Sequence, residues 1–228
     1  MRITSLNLRG FFDWEQRSPR VVAALRDLDP AVILFQEDVW LPDVANRTTV
    51  GVLNERLGYP FRHESVTRLQ QGRTHTDYRE GLGLLSRLPV ASTETLVLKH
   101  EDADPHHRIV QFVDVVADDG VWPLANVHLS VRDDFALQHL AEVQGILRAR
   151  DEDRILGGDF NVNHLERRRS RWPDAVLTTD VVPYGSHPST GETDDYFLVP
   201  KRWRIDQVLV SGDDLSDHRA VTVDLSRV

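Results

Sequence analysis

The chain has 228 residues, of which 40% are apolar and 28% are charged, and its formal net charge is −9. This length and composition can bury one sizeable core, and we expect residues 1–228 to form a single domain. The negative charge argues against a protein that holds nucleic acid on a broad basic surface, although an enzyme can use a local basic patch. The absence of cysteine excludes disulfides, thiolate metal sites and thiol nucleophiles, so a bound metal would need oxygen or imidazole ligands.

No run approaches the roughly 20 apolar residues needed to span a bilayer, and the N-terminus lacks the apolar segment of a secretory signal. We therefore expect a cytoplasmic protein without stable membrane insertion, although a trimmed secreted chain would look the same. No coiled-coil heptad is visible, and the sequence leaves the oligomeric state open, with a monomer as the favoured expectation.

Apolar runs and helical patterns follow one another along the chain without strict alternation. The runs typical of strands are Ile3–Leu8, Val32–Phe35, Gly81–Ser86, Ile109–Val116, Trp122–Val127, Ile155–Leu156, Trp203–Val210 and Val221–Leu225. Helical patterns cover Pro19–Leu28, Thr48–Leu57 and Phe135–Arg150, and loops are predicted at His100–His107 and Tyr184–Asp195. This irregular mixture predicts sheets packed together with helices outside them.

Polar residues follow or interrupt two of the early runs. Glu37 comes after the apolar run Ala31–Phe35, at the end of a predicted buried strand, where a carboxylate can hold Mg²⁺. A helix-capping or solvated glutamate is the alternative. Asn7 lies inside Ile3–Leu8, where a buried amide needs a partner, so a structural role is also open for it.

Asp159 and Asn161 follow Gly157 and Gly158, two glycines that let the backbone turn tightly and approach a ligand closely. The spacing of two would place both side chains on one side of a strand that continues briefly. An acid that positions water and an amide that binds an oxyanion are suited to attack on a phosphodiester. A plain Asp/Asn turn is the alternative.

Two histidines accompany acids or amides on strand-like segments. Asp206 lies twelve positions before His218, about the length of a hairpin, and could fix its tautomer and raise its basicity. Asn126 and His128 share one face of their predicted strand. Either histidine alone could equally be a satisfied structural residue.

Seven polar clusters occur in a fixed order along the chain. They are Asn7, Gln36–Glu37, Glu80–Pro89, Asn126–Leu129, Gly158–Asn161, Arg204–Asp206 and Ser216–His218. Each is weak alone, but the ordered set resembles the endonuclease/exonuclease/phosphatase superfamily, the deoxyribonuclease I-like group, from end to end. The resemblance implies an α/β four-layer sandwich, in which two packed mixed β-sheets are flanked by helices and strand-end loops form a phosphoesterase cleft.

The resemblance also implies a metal site and an attacking water. Glu37 looks like the principal Mg²⁺ ligand, with Mn²⁺ as a possible substitute, and Asn7 and Asp217 are candidates for additional ligands. Asp159 would orient or deprotonate the attacking water, and Asn161 would contact the scissile phosphate.

The remaining candidates would bind the phosphate or the rest of the substrate. His218, paired with Asp206, would bind or protonate phosphate oxygens. The sphingomyelinase and deoxyribonuclease I branches suggest His128 as a second such imidazole, partnered by Glu80. Substrate contacts are expected from Tyr78, Arg108 and Asn126, although a buried structural salt bridge is equally open for Arg108.

The chain departs from the family pattern in three places. Arg9 stands where some branches carry an acid as a further metal ligand, and Gln207 stands where an aromatic residue is common after the histidine-partnering acid. Nine residues separate Asp206 from Ser216, fewer than in many relatives. These departures put the extra metal ligand and this edge of the cleft in doubt.

A phosphodiester substrate, and nucleic acid in particular, is the leading expectation. Its local support is Arg167–Arg169 with Arg171 and Trp172, which could grip backbone phosphates with an aromatic contact. A solvated basic helix face is the alternative reading of that cluster.

The fold and the core chemistry also allow a phosphatase or a sphingomyelinase-like phospholipid phosphodiesterase. An exposed apolar loop would suit a lipid surface, and Phe11–Trp14 is the one candidate for it. A catalytically inactive binding protein is a further alternative.

Overall fold

Twelve strands and four α-helices make up the computed structural model, which describes residues 1–40, 47–70, 78–100, 102, 104 and 106–228. The strands are β1 (Arg2–Asn7), β2 (Val32–Trp40), β3 (Phe61–Gln70), β4 (Tyr78–Ser86), β5 (Val90–Val97), β6 (Ile109–Ala117), β7 (Gly120–His128), β8 (Ile155–Asp159), β9 (Ala175–Leu177), β10 (Asp195–Pro200), β11 (Trp203–Val210) and β12 (Val221–Arg227). The helices are α1 (Trp14–Leu28), α2 (Thr49–Leu57), α3 (Asp133–Ala149) and α4 (Thr178–Val181), with a 3₁₀ segment at Leu165–Arg171.

The strands form two sheets of six. One has the order β11-β12-β1-β2-β4-β3 and the other the order β5-β6-β7-β8-β10-β9. Both are mixed, because β1 runs parallel to β2 and β7 runs parallel to β8, while the other neighbours are antiparallel. In each sheet a parallel pair therefore ends at the same edge, where polar side chains from both strands can meet.

Apolar side chains hold four layers together. Between the sheets, Leu34 and Val223 of one sheet pack with Leu124 and Phe197 of the other. On the outer face of the first sheet, apolar residues of α1 and α2 cover β1 and β2, and on the outer face of the second sheet α3 covers β6, β7 and β8. The prediction of two packed mixed sheets flanked by helices is confirmed. No helix in the described part of the chain is long and apolar enough to span a membrane.

Four strands escaped the sequence analysis: β3, β5, β9 and β10. β3 and β5 carry many charged or hydroxyl side chains at partly exposed positions, so they lack the apolar runs that mark buried strands. β9 is only three residues long, and β10 begins at Asp195, the residue assigned to the end of a loop. The other predicted loop, 100–107, is described only at 100, 102, 104, 106 and 107.

β2 also continues past its apolar run. It extends to Trp40 through a bulge between Phe35 and Asp38, where its pairing with β4 shifts register. Glu37 lies in this bulge, with a left-handed backbone at φ 52°. A bulge redirects a side chain that regular pairing would send elsewhere, so Glu37 owes its position to this irregularity.

Among the glycines near the strand ends that form the site, Gly158 is the one whose replacement should lower stability most. A methyl group there would lie 2.0 Å from the carbonyl oxygen of Val127, and the φ of +145° disfavours any L side chain. We expect Gly158→Ala to lower the free energy of unfolding by about 2 kcal/mol or more. Urea unfolding followed by circular dichroism would measure the loss.

Gly145 provides the matched control. It lies within α3, and a methyl group there would meet no atom of the described residues within 4 Å. Gly145→Ala should raise stability by about 0.5–1 kcal/mol, because alanine favours helix. Equal effects of the two substitutions would contradict this account of Gly158.

Candidate active site

Polar side chains from both sheets meet at the edge where the parallel strand pairs end. Asn7 ends β1, His128 ends β7 and Asp159 ends β8, while Glu37 lies in the bulge of β2. The amide nitrogen Nδ2 of Asn7 donates to Oδ2 of Asp159 at 3.0 Å, a contact that joins one sheet to the other. These four predicted site residues are thus brought together, as the order of their strands required.

Asp159 is the buried centre of this group. Its Oδ2 atom lies 3.6 Å from Nε2 of His128 and 3.9 Å from Nε2 of His218, and its Oδ1 atom accepts the backbone N–H of Asn161 at 2.9 Å. Burial raises the pKa of Asp159; His218 opposes this effect and Asp195 adds to it. The carboxylate is therefore held among donors on several sides, as a group that exchanges a proton requires.

Glu37 stands at the more open side of the group. Its Oε1 atom accepts from Nδ2 of Asn7 at 3.2 Å, and its side chain is only partly buried. The backbone N–H of Arg9 donates to Oδ1 of Asn7 at 2.9 Å, which turns the Asn7 amide so that Nδ2 faces the two carboxylates.

His218 is paired with Asp195, and the predicted pairing with Asp206 is wrong. Nδ1 of His218 lies 2.8 Å from Oδ2 of Asp195, and both side chains are buried. Asp206 lies at a register shift in β11, at the edge of the first sheet, and accepts instead from Arg204 at 2.6 Å. The twelve-residue hairpin places Asp206 beside β12 and away from the cleft, whereas β10 belongs to the sheet that carries Asp159.

A sequence signal for Asp195 was present. In the family pattern an aromatic residue commonly follows the acid that partners the histidine. Tyr196 follows Asp195 directly, whereas Gln207 follows Asp206. Tyr196 is fully buried, and its hydroxyl donates to the carbonyl oxygens of Val162 and Thr193. The aromatic residue thus anchors the start of β10, which keeps Asp195 in register with Asp159 on β8.

Glu80 does not serve as the partner of His128. Glu80 forms an ion pair with Arg68, and no hydrogen bond joins Glu80 to His128 among the described residues. The imidazole of His128 faces Asp159 instead. Burial first, and then the nearby guanidinium groups of Arg108 and Arg68, hold the pKa of His128 well below its usual value, so this imidazole is neutral.

Arg108 is the most deeply buried cation near this group. It precedes β6, whose Val110 pairs with Val127, so Arg108 lies beside the end of β7. Its Nε and Nη2 atoms have no hydrogen-bond partner within the described part of the chain, and Nε lies 3.8 Å from Asp104. Burial lowers the pKa of Arg108 to about 10, against the attraction of Asp104 and Asp159, so the group stays charged at neutral pH. A charged guanidinium whose N–H groups have no hydrogen-bond partner among the described residues is suited to binding an anionic ligand.

Asn126 has a structural position rather than the predicted contact with substrate. It is fully buried between the sheets, where Nδ2 donates to the carbonyl oxygens of Phe35 at 3.0 Å and Gly83 at 3.1 Å. Its Oδ1 atom accepts from Nε2 of Gln36 at 2.8 Å, and Gln111 lies within 3.4 Å. All of its polar atoms are engaged, so none is left for a ligand.

The remaining predicted residues lie on the rim or just beyond Asp159. β8 ends at Asp159, so Asn161 sits on a left-handed turn at φ 50° and donates through Nδ2 to the carbonyl oxygen of Leu129 at 3.1 Å. Tyr78 meets the ring of Phe11 edge-on, with ring centroids 4.9 Å apart, and Phe11 stacks on Phe12. The rim beside Glu37 is therefore aromatic.

Two further observations concern residues outside the predicted set. The indole of Trp172 is buried in the core under α3, so the predicted stacking contact of the arginine-rich segment is wrong. His187, which the sequence analysis did not single out, packs edge-on against His218 with ring centroids 5.3 Å apart. The loop of His187 contains no motif that would indicate a site residue in the sequence. Only the contact with His218 in the folded structure shows that His187 lies at the site.

Among the described residues, two groups of side chains have ligand atoms close enough to share a metal ion. They are His187, Asp217 and His218, and Asp159, Asp195 and His218. Neither includes Glu37, whose link to Asp159 runs through the Asn7 amide. The carboxylates of Glu37, Asp159, Asp195 and Asp217 supply the oxygen donors of this edge, which suit a hard divalent cation such as Mg²⁺.

The pairing of His218 with Asp195 makes a titration prediction. Burial lowers the pKa of His218, but the stronger effect of Asp195 and Asp159 raises it to about 11. Because the folded-state pKa lies above the usual 6.5, the pair stabilises the fold fully below pH 6.5 and loses this contribution as the pH rises towards 11. In metal-free protein, Asp195→Asn should lower the titration midpoint of His218 by about one pH unit or more.

Ring-proton chemical shifts measured by NMR would follow this titration. Asp206→Asn is the matched control and should leave the midpoint of His218 unchanged, since Asp206 contacts Arg204. A shift caused by Asp206→Asn and not by Asp195→Asn would overturn the assignment.

Comparison with known proteins agrees with this geometry. The chain matches the model of the Endonuclease/Exonuclease/phosphatase family over residues 4–228, and no curated protein matches it at the sequence level.

An endonuclease/exonuclease/phosphatase from Beutenbergia cavernae superposes with a TM-score of 0.84 at 19% identity, covering 100% of this chain and 71% of that chain. The mannosyl-6-phosphatase of Bacteroides thetaiotaomicron gives 0.72 at 16%, covering 99% of each chain. The catalytic domain of human nocturnin gives 0.72 at 18%, covering 100% of this chain and 93% of that one. The chain therefore belongs to the Endonuclease/Exonuclease/phosphatase family, whose members are hydrolases that act on phosphoester bonds.

Proposed function

We propose that the protein is a Mg²⁺-dependent phosphodiester hydrolase that acts on nucleic acid strands. The observation that carries the proposal is the cluster around Asp159, in which one buried carboxylate lies within 4 Å of two imidazoles, one at the end of β7 and the other in the loop before β12. Such a cluster can hold a water molecule beside phosphorus and provide donors for the phosphate oxygens.

Glu37 would hold the metal ion, with Asn7 as an additional ligand once its amide turns over, because its Nδ2 atom faces Glu37 and its Oδ1 atom accepts from the N–H of Arg9. Their oxygen donors and the partial exposure of Glu37 suit an ion that keeps several waters, and Mn²⁺ would be accepted at the same ligands. When bound, the ion would polarise a phosphate oxygen and offset the charge that develops on it. This role is consistent with the left-handed bulge that directs Glu37 towards Asn7.

Asp159 would orient the attacking water and accept its proton. Its raised pKa brings its basicity towards neutral pH, where a general base is most effective. His218 stays protonated beside Asp195 and would donate to a phosphate oxygen or to the leaving group. Neutral His128 would donate from its ring N–H to a second phosphate oxygen, and Asn161 would contact the same phosphate through its amide.

The aromatic rim supports a nucleic acid strand as the substrate. Phe11, Phe12 and Tyr78 form a continuous group, and the ring of Phe12 is 55% exposed. Exposed aromatic faces beside a phosphate site are suited to stacking on bases of a single strand. The net charge of −9 is compatible with this proposal if the enzyme contacts only a short stretch of substrate.

A phosphomonoester is the second candidate, favoured by the paired arginines. Arg68 is close enough to lower the pKa of Arg108, and both arginines lower the pKa of His128; Arg108 is also attracted to Asp159, whereas Arg68 is paired with Glu80. Two guanidinium groups suit the doubly charged terminal phosphate of a monoester. The similarity to a mannosyl-6-phosphatase is consistent with this candidate.

Cleavage of supercoiled plasmid and of two chromogenic esters would test the proposal. We expect Mg²⁺-dependent nicking that EDTA abolishes, and hydrolysis of bis(p-nitrophenyl) phosphate above that of p-nitrophenyl phosphate. Asp159→Ala should lower kcat by about 10²–10⁴-fold, as loss of a general base does. Preference for the monoester without nicking would favour the second candidate, and activity independent of Asp159 would contradict the mechanism.

Binding of inorganic phosphate would test Arg108 separately. We expect Arg108→Gln to weaken phosphate binding by about tenfold or more, the cost of losing hydrogen bonds to a charged group. Isothermal titration calorimetry would measure the affinity.

Arg154 supplies the matched control, because it is also a buried arginine, but its Nε atom is paired with Glu152 and its Nη1 atom with Asp114. Arg154→Gln should lower stability and leave phosphate affinity unchanged. Loss of phosphate affinity in Arg154→Gln alone would remove Arg108 from the proposed site.

A further inference from the structure

Ser186 lies in the loop before β10, and its side chain is fully buried. Its Oγ atom accepts two consecutive backbone N–H groups, those of Asp194 and Asp195, both at 3.0 Å. Asp195 is the first residue of β10 and the partner of His218. The serine hydroxyl therefore fixes the backbone at the point from which the Asp195 carboxylate leaves the chain.

The carbonyl group of Ser186 holds the other half of the pair. It accepts the backbone N–H of Arg219 at 2.7 Å, and Arg219 directly follows His218. Nη1 of Arg219 also donates to the carbonyl oxygen of Gly185 at 2.6 Å, so two hydrogen bonds join these segments. Ser186 is thus bonded on one side to the acid and on the other side to the chain next to the imidazole.

Both members of the pair lie where regular structure ends. Asp195 is opposite Asp159, the last residue of β8, and His218 lies in the loop between β11 and β12. The hydrogen bond between them, with 2.8 Å from Nδ1 of His218 to Oδ2 of Asp195, weakens steeply when distance or angle changes. Its geometry therefore depends on contacts between the two loops.

We propose that Ser186 is a positioning residue for His218, because it ties Asp195 and the loop of His218 to one buried point and keeps their hydrogen bond short. The inference rests on the proposed function, in which His218 donates to the substrate. Ser186 is fully buried and its hydroxyl already accepts two N–H groups, so it acts on turnover through the alignment of His218. Substrate binding is left to other residues.

The ring proton on Nδ1 of His218 reports on this alignment without any measurement of activity. NMR of metal-free protein with isotope-labelled histidine would measure its exchange with water, and loss of the signal in His218→Gln would assign it. Ser186→Ala should raise the exchange rate about tenfold or more, because two buried N–H groups lose their acceptor and the pair opens more readily. Ser186→Cys, which puts a weak acceptor in nearly the same volume, should raise it less and serves as the second variant if alanine disturbs folding.

Ser86 provides the matched control. It is also fully buried, and its Oγ atom accepts the backbone N–H of Leu88 at 3.0 Å. It lies opposite Val32, at the start of β2 and thus at the edge away from the site. Ser86→Ala should lower the temperature of thermal unfolding as Ser186→Ala does, but leave the exchange of the His218 proton unchanged.

Hydrolysis of bis(p-nitrophenyl) phosphate separates alignment from binding. Ser186→Ala should lower kcat about tenfold and change KM less than about twofold, because a misplaced donor acts on the transition state more than on bound substrate. Ser86→Ala should keep both constants.

The outcomes separate the inference from the proposed function. An unchanged exchange rate in folded Ser186→Ala or Ser186→Cys would overturn the inference, since Ser186 would then only stabilise the fold. An equal rise in Ser86→Ala, or a rise in KM at constant kcat in Ser186→Ala, would overturn it as well. A wild type that does not cleave the diester would instead refute the proposed function, and the exchange rates would still decide whether Ser186 aligns His218.

Discussion

The polar contact that Gln36, Asn126 and Gln111 make between the two sheets is the constraint on which the site depends. It is fully buried, where an unpaired amide would cost about 1–3 kcal/mol, so the relative placement of the sheets has to satisfy all three side chains. Glu37 follows Gln36 directly, and His128 lies two residues beyond Asn126 on the same face. The contact that aligns the two sheets therefore also aligns Glu37 with His128 at the edge of the candidate site.

Charge balance gives the cluster its chemical character. Asp159 and Asp195 are both buried and share the single protonated imidazole of His218, while Glu37 adds a third acid nearby. Buried carboxylates in excess over cations are costly unless a proton or a metal ion joins them. Burial raises the pKa of Asp159 and the charge of Asp195 adds to this effect, while Glu37 stays partly exposed beside Asn7.

The sequence indicated those candidate residues that belong to a local motif or follow a recognisable strand. It did not indicate pairings between residues that are distant along the chain. Asn7, Glu37, Asp159 and His218 were found because each ends or follows a recognisable strand or motif. Asp195 was missed, because it lies 23 positions before His218 and begins β10, a strand that its polar start hides. The burial of Asn126, the pairing of Glu80 with Arg68 and the approach of His187 likewise arise from contacts between distant segments, which no local pattern records.

Asp159 and Asp195 are register partners on neighbouring antiparallel strands. One inserted or deleted residue within either strand would turn a carboxylate to the opposite face of the sheet, so these strands cannot change length without losing the pair. The loop that contains His187 lies outside this register. Its buried Ser186 accepts the backbone N–H groups of Asp194 and Asp195, but its exposed tip at 189–192 can change length or composition while both acids stay in place. A new substrate preference could thus evolve by remodelling that loop alone, with the hydrolytic apparatus inherited unaltered.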